Sequence, residues 1–264
     1  MPKAHALHLI FIHGWGMNQG IWQSFLHYCE SRWLGNVTFE AIDLPGFGSN
    51  YEHDLQPYNI DAVTNYVKQV LRPNTVVVGW SMGGLVAQRL ADIGDSNLFA
   101  QIQIASTPRF LQADNWPGIH SEVLEQFNKQ LSAGHLRVLK RFLSIQCLGL
   151  NKPKEQMKLM LEAICHFPLS SSETLAKTLQ LLSGTDLRPS AKSSRTRSLP
   201  TLRIFGEFDS LVPKRAVSLI EHLYPHDNFH LIPKASHAPF LSHPEDCFNA
   251  INIFIKPYTG QSRL

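Results

Sequence analysis

The sequence predicts an α/β fold: a mostly parallel, doubly wound sheet with a helical segment inserted between two of its strands. Three observations carry that prediction. Short apolar, β-rich runs recur along the chain with helical patterns between them. Several of these runs lack polar alternation, as strands covered on both faces do. The alternation then stops between about residues 107 and 195, where only helical patterns occur.

The predicted strands, in order, are "LHLIFI" (7–12), "VTFEAID" (37–43), "TVVVG" (75–79), "QIQIA" (101–105), "TLRIFG" (201–206) and "NFHLI" (228–232). Helical periodicity fits 60–71, 83–93, 213–223 and 244–255. Strands that alternate with helices form parallel sheets, because each crossover must carry the chain back to the same edge. The inserted segment carries helical patterns near 119–132, 135–148, 153–165 and 172–183. "RPSAKSSRTRSLP" (188–200), polar, Ser-rich and basic, reads as the linker back to the sheet. The expected organisation is a core over 1–106, a helical lid over 107–195 and the rest of the core over 196–264.

A chain of 264 residues that is 44% hydrophobic and 17% charged can bury a large core and does not have a disordered composition. No apolar run approaches the roughly 20 residues that span a bilayer, so no membrane partner is expected. The first residues read as a strand leading into a Gly-rich loop, not as a signal peptide. Cys29, Cys147, Cys165 and Cys247 are far apart and have no metal-binding spacing, which fits reduced thiols in a cytoplasmic protein. Net charge is +3, but its distribution is uneven. Residues 129–158 hold Lys129, Arg137, Lys140, Arg141, Lys152, Lys154 and Lys158 against Glu155, a balance of +6; the remainder of the chain is −3.

The chemistry is concentrated in "VVVGWSMGGLVAQRLA" (76–91), where a strand turns into a helix around Ser81. A serine hydroxyl needs a base to accept its proton and donors to hold the oxyanion it creates. Gly79-Trp80-Ser81-Met82-Gly83 matches G-x-S-x-G in its required strand–turn–helix context, with the backbone N–H of Met82 as one oxyanion donor. "FIHGWGMN" (11–18), after the first strand, offers the N–H of Trp15 as the second, with His13 bracing the loop. In this architecture the acid and then the base follow the serine in chain order. "IFGEFDSLVP" presents Asp209 just past a strand, and "IPKASHAPFLSHPE" presents His237 past the last one. Glu207 and His243 are the neighbouring rivals. His222, His226 and His230 recur at spacing four, but Pro225 breaks the helix that would align them, so they read as surface residues and no metal is expected. "DLPGFGS" (43–49) lacks the Lys-Ser/Thr of a phosphate loop and reads as structural.

These motifs resemble the α/β-hydrolase family over nearly the whole chain. Within it, "HGWGMN", "DLPGFG", "GWSMGGLVA", "RFLSIQ", "TDLRP", "GEFDSLVP" and "SHAPFLSHP" resemble the esterases that act on the methyl ester of pimeloyl-[acyl-carrier protein] in biotin synthesis. The resemblance implies an α/β-hydrolase fold, a Ser81–Asp209–His237 triad and oxyanion donors at Trp15 and Met82. It also implies an acyl site of Trp15, Ser81, Met82, Phe142, Leu143, Ser144, Ile145, Gln146 and His237, an acyl-carrier-protein substrate and no cofactor. Arg137, Lys140 and Arg141 fall at i, i+3 and i+4, and Lys154 and Lys158 at i, i+4. With Lys152 they predict a basic lid face suited to an acidic carrier. No nucleic-acid motif accompanies the patch, and a monomer is expected. Two other readings of the same residues stay open: a general short-chain carboxylesterase, lipase or C–C bond hydrolase, and a hydrolase fold kept as a binding module.

Overall fold

Continuous apolar runs become strands here because both of their faces are covered. Leu7–Ile12 (β1), Thr75–Trp80 (β3) and Thr201–Gly206 (β5) are buried at every position. With Val37–Ile42 (β2), Leu98–Ile104 (β4) and Asn228–Ile232 (β6) they form a six-stranded, all-parallel sheet ordered β2-β1-β3-β4-β5-β6. The computed structural model describes residues 6–33 and 36–259. β4 starts three residues earlier than the sequence predicts, at Leu98, which already pairs with Thr75 before an irregularity in the register between Thr75 and Val76.

Helices cover both faces. Gln23–Glu30 (α1), Ile60–Lys68 (α2) and Met82–Ile93 (α3) fill the first half of the chain. α2 and α3 close one face with Val63, Val67, Leu85 and Leu90, while α1 supplies Phe25 and Cys29 to the other. Ser121–Gln146 (α4), Pro153–Cys165 (α5) and Ser172–Gly184 (α6) lie between β4 and β5. The chain then runs through Ser194–Ser198 (α7), Lys214–Leu223 (α8), Pro239–Ser242 (α9) and Pro244–Ile255 (α10).

The helices predicted at 119–132 and 135–148 both form, as the two arms of α4, which meet at Gly134, whose backbone (φ 152°, ψ 91°) is not helical and is one that no L side chain adopts readily. Two expectations change. The expected linker at 188–200 is structured: a 3₁₀ turn at Arg188–Lys192 leads into α7. Thr196 donates to Asp92 (2.8 Å) and Arg195 to the Ile93 carbonyl (2.8 Å), so this basic stretch is pinned to the end of α3. α1 is missing from the sequence reading: it is short, buries only Phe25 and Cys29, and no side chain caps its start.

The chain moves from β1 out to β2 and returns on the other side of β1 to β3. Open parallel sheets place their sites at such a switch, beyond the carboxyl ends of the strands. The loops after β1, β3, β5 and β6 all emerge at that edge.

Candidate active site

The loop after β3 is forced into shape by what surrounds it. Ser81 has φ 53° and ψ −115°, a conformation costing about 1–3 kcal/mol in a non-glycine residue. Glycines make the turn possible. A Cβ on Gly79 would meet the backbone of Gly83 and Gly84; one on Gly83 would meet the carbonyls of Ile12 and His13. One on Gly84 would meet Ser106, whose hydroxyl donates to the Ser81 carbonyl (2.8 Å). The Ser81 N–H donates to Ile104 O (2.9 Å), closing the elbow onto β4. The result is a serine held rigidly at the head of α3.

Across the sheet edge, the Ser81 hydroxyl donates to Nε2 of His237 (2.9 Å). The opposite ring nitrogen, Nδ1–H, donates to Oδ2 of Asp209 (2.8 Å). Asp209 Oδ1 accepts the backbone N–H groups of Leu211 (2.8 Å) and Val212 (3.0 Å), which fixes the carboxylate plane. The His237 and Asp209 side chains are fully buried and Ser81 is 4% exposed. Both rivals have other duties. Glu207 accepts the Lys234 N–H (3.0 Å), bracing a left-handed residue (φ 61°) in the histidine loop. His243 pairs with Ser242 (2.9 Å) at the start of α10.

The loop after β1 lies against the elbow: a Cβ on Gly14 would sit 3.2 Å from the Ser81 Cβ. Met17 N–H donates to Gly14 O (3.2 Å), closing the turn that contains Trp15. The N–H of Met82 heads α3, so no carbonyl one turn back is available to it. Trp15 and Met82 thus sit on the two turns that flank Ser81. His13 is buried behind them. Its Nδ1–H donates to Gly14 O (2.9 Å) and its Nε2 accepts from Leu44 N–H (3.1 Å), a pairing available only to neutral imidazole. Burial pushes its pKa below the ordinary histidine value, partly opposed by Asp43. Asp43 itself accepts from Gln19 and Ser49, which makes 43–49 a braced structural loop.

The first loop also holds the helices inserted between β4 and β5, the expected lid, a tie which the sequence did not reveal. The Trp15 indole N–H donates to Leu175 O on α6 (3.1 Å), and Asn18 donates to Ile164 O on α5 (2.9 Å). The Phe142 ring on α4 meets the Trp15 ring edge-on at 4.8 Å. The 142–146 stretch divides: Phe142, Leu143 and Gln146 are buried and Ile145 half-buried, whereas Ser144 is exposed and turns back to Arg141 O (2.7 Å). Phe142 packs with the Trp15 cluster and Leu143 with Met160 and Cys147 on the other side of the helix. Among the predicted acyl-site residues, Phe142 is the lid side chain that meets Trp15, and Ser144 lies on the outer surface.

Arg137, Lys140, Arg141, Lys152, Lys154 and Lys158 are all exposed. Lys152 pairs with Glu155 (3.0 Å) and Lys158 with Glu162 (3.6 Å). Among the described residues, Arg137, Lys140 and Arg141 on α4 and Lys154 on α5 stand outside any ion pair, so most of this uncompensated charge lies on α4. His222, His226 and His230 are exposed on α8, a turn and β6. No group of three metal-ligating side chains converges among the described residues, and no helix there is long and apolar enough to cross a membrane.

Known proteins resemble this chain in sequence and in fold. An esterase of Aeromonas salmonicida, named pimeloyl-[acyl-carrier protein] methyl ester esterase, is 34% identical over 94% of each chain. One of the same name from Klebsiella pneumoniae is 35% identical over 90% of this chain and 89% of its own. Among solved structures, an esterase from Exiguobacterium antarcticum superposes with a TM-score of 0.83 at 18% identity, covering 97% of this chain and 93% of that one. A bromoperoxidase from Bacillus anthracis does so at 0.82 and 20% identity, covering 96% and 93%. These two likenesses speak for the fold. The sequence model of the alpha/beta hydrolase family matches residues 9–250, and this chain belongs to that family.

Proposed function

We propose that this protein is a serine carboxylesterase that hydrolyses the methyl ester of pimeloyl-[acyl-carrier protein], releasing methanol and the free ω-carboxylate on its carrier, in biotin synthesis. The observation that carries the chemistry is the hydrogen-bonded line Ser81–His237–Asp209. The relatives' names supply the substrate.

In this reading His237 Nε2 takes the Ser81 proton as Oγ attacks the ester carbonyl. The N–H groups of Trp15 and Met82 hold the tetrahedral oxyanion. His237 then gives the proton to the departing methoxide, leaving methanol and an acyl-enzyme. Water, deprotonated by His237, attacks the acyl-enzyme and frees the acid and Ser81. Asp209 keeps Nδ1 protonated and stabilises the imidazolium throughout. Phe142 and Trp15 border the acyl chain.

The unpaired cations of α4 support docking of an acidic carrier: Arg137, Lys140 and Arg141 point outward from the helix that carries Phe142 on its inner face. Lys154 extends that surface onto α5; Lys152 and Lys158, already paired, contribute less. The protein acts as a cytoplasmic monomer in this scheme.

The test is the rate on pimeloyl-carrier methyl ester beside a series of p-nitrophenyl esters. The expected result is a kcat/KM far higher for the carrier-bound ester. Efficient cleavage of unrelated short esters with neglect of the carrier ester would instead identify a general carboxylesterase.

A further inference from the structure

The residue before the nucleophile has its own task. Trp80 ends β3 and is fully buried. Its indole N–H donates to the backbone carbonyl of His237 at 2.8 Å, a bond between positions 157 residues apart. Its ring lies 5.8 Å from the His237 imidazole and edge-on to Phe240 at 5.2 Å. A Cβ on Gly14 would lie 3.2 Å from that ring, so Trp80 touches the oxyanion turn as well.

The histidine loop is otherwise secured at its base. Phe208 N–H donates to Ala235 O (2.8 Å) and Glu207 N–H to Ile232 O (3.0 Å). Gly206 packs against the carbonyls of Ala235 and Ser236. Those contacts fix residues 232–236 to β5 but leave the backbone at His237 to be fixed from elsewhere, and the Trp80 indole does this. Because Trp80 and Ser81 are adjacent on one rigid elbow, the indole sets the base's position relative to the nucleophile through the backbone, independently of the Oγ–Nε2 hydrogen bond.

The geometry points to Trp80 as a positioning residue for His237, an inference that rests on the serine-hydrolase reading of the site. Removing the N–H while keeping the ring misplaces the imidazole, and displacements of under 1 Å slow such reactions considerably. Trp22 is the internal control. It packs in the same aromatic cluster, stacked on Phe240 at 4.1 Å and edge-on to Trp80 at 6.4 Å, yet its own indole N–H has no hydrogen-bond partner among the described residues.

The test compares Trp80→Phe, Trp22→Phe and replacement of Trp80 by benzothienylalanine, an isostere with sulfur in place of N–H. Thermal stability, kcat and KM on p-nitrophenyl acetate and the rate of fluorophosphonate labelling are read in each. The expected result is a roughly tenfold fall in kcat and labelling rate for both Trp80 changes, with KM within twofold. Trp22→Phe should lose stability but keep kcat within twofold. The isostere keeps the packing, so it reports even if Trp80→Phe folds poorly. If the isostere keeps full kcat, or if Trp22→Phe loses as much as Trp80→Phe at matched stability, Trp80 is only a packing residue. Failure of the unaltered protein to label at Ser81 would instead count against the catalytic reading itself.

Discussion

The sheet edge and the helices inserted between β4 and β5 hold their polar side chains in opposite ways. At the sheet edge Ser81, Asp209 and His237 come from three loops, are buried, and are tied by hydrogen bonds of 2.8–3.0 Å to each other or to backbone. On α4 the cations stand exposed on a helix broken at Gly134 and outside any ion pair among the described residues. The first arrangement suits chemistry, where a misplaced atom costs rate. The second suits recognition of a large charged partner, where long-range attraction tolerates mobile side chains. The Trp15 loop joins the two, with its backbone beside the nucleophile and its indole pinned to α6.

Four measurements would break or sharpen that contrast. The largest effect belongs to the edge. Ser81→Ala should lower kcat on the order of 10⁵-fold and Asp209→Asn about 10⁴-fold, with folding intact by circular dichroism. Activity surviving in Ser81→Ala would remove the edge as the reaction site.

The second concerns the buried scaffold beneath that edge. Arg203 is fully buried, donating to Asp227 (2.7 Å), Gln103 (2.6 Å) and Gln88 (2.9 Å), with the Tyr224 ring 4.1 Å from its guanidinium. Asp227→Ala leaves that cation uncompensated and should destabilise by about 3–5 kcal/mol in urea unfolding. A loss under 1 kcal/mol would mean that the core network, like the lid's charges, is dispensable for stability.

Third, Lys140→Glu with Arg141→Glu should reduce kcat/KM on the carrier-bound ester about tenfold and leave a small free ester within twofold. Added salt should mimic the change, since exposed charges are screened over roughly 10 Å at 0.1 M. Equal losses on both substrates would assign these cations to the catalytic apparatus and erase the division of labour.

The smallest effect is on pH dependence. Buried His13 stays neutral in the fold while the unfolded chain takes up a proton near pH 6.5. The unfolded state then binds more protons, so stability falls as pH drops below about 6.5. The slope from this group is up to about 1.4 kcal/mol per pH unit and levels off below the folded pKa. His13→Gln should flatten that slope in denaturation measured at pH 7.5 and 5.5. An unchanged slope would place the titrating group elsewhere.

The strands along the chain and the loop residues that follow them were readable because apolar runs, glycines and turn chemistry are local signals. "TVVVGWSMGG" declares a strand, an elbow and a helix without reference to the rest of the chain. Residues 188–200 misled, since their Ser and Arg composition describes a loop while Thr196 and Arg195 find partners on α3. Residues 142–146 were expected to act as one acyl-contacting unit. A helix turns each successive side chain by about 100°, so Phe142 faces Trp15 while Ser144 faces out.

By itself the sequence determined the alternating architecture, the chain order of nucleophile, acid and base, and the concentration of positive charge between the two halves of the sheet. Only the tertiary structure decided that Glu207 braces the histidine loop through Lys234, that Trp15 pins the inserted helices, and that the Trp80 indole reaches His237. Each of these is a contact between residues far apart in the chain, whose partners are chosen by the winding of the sheet, and no local pattern of side chains encodes that distance.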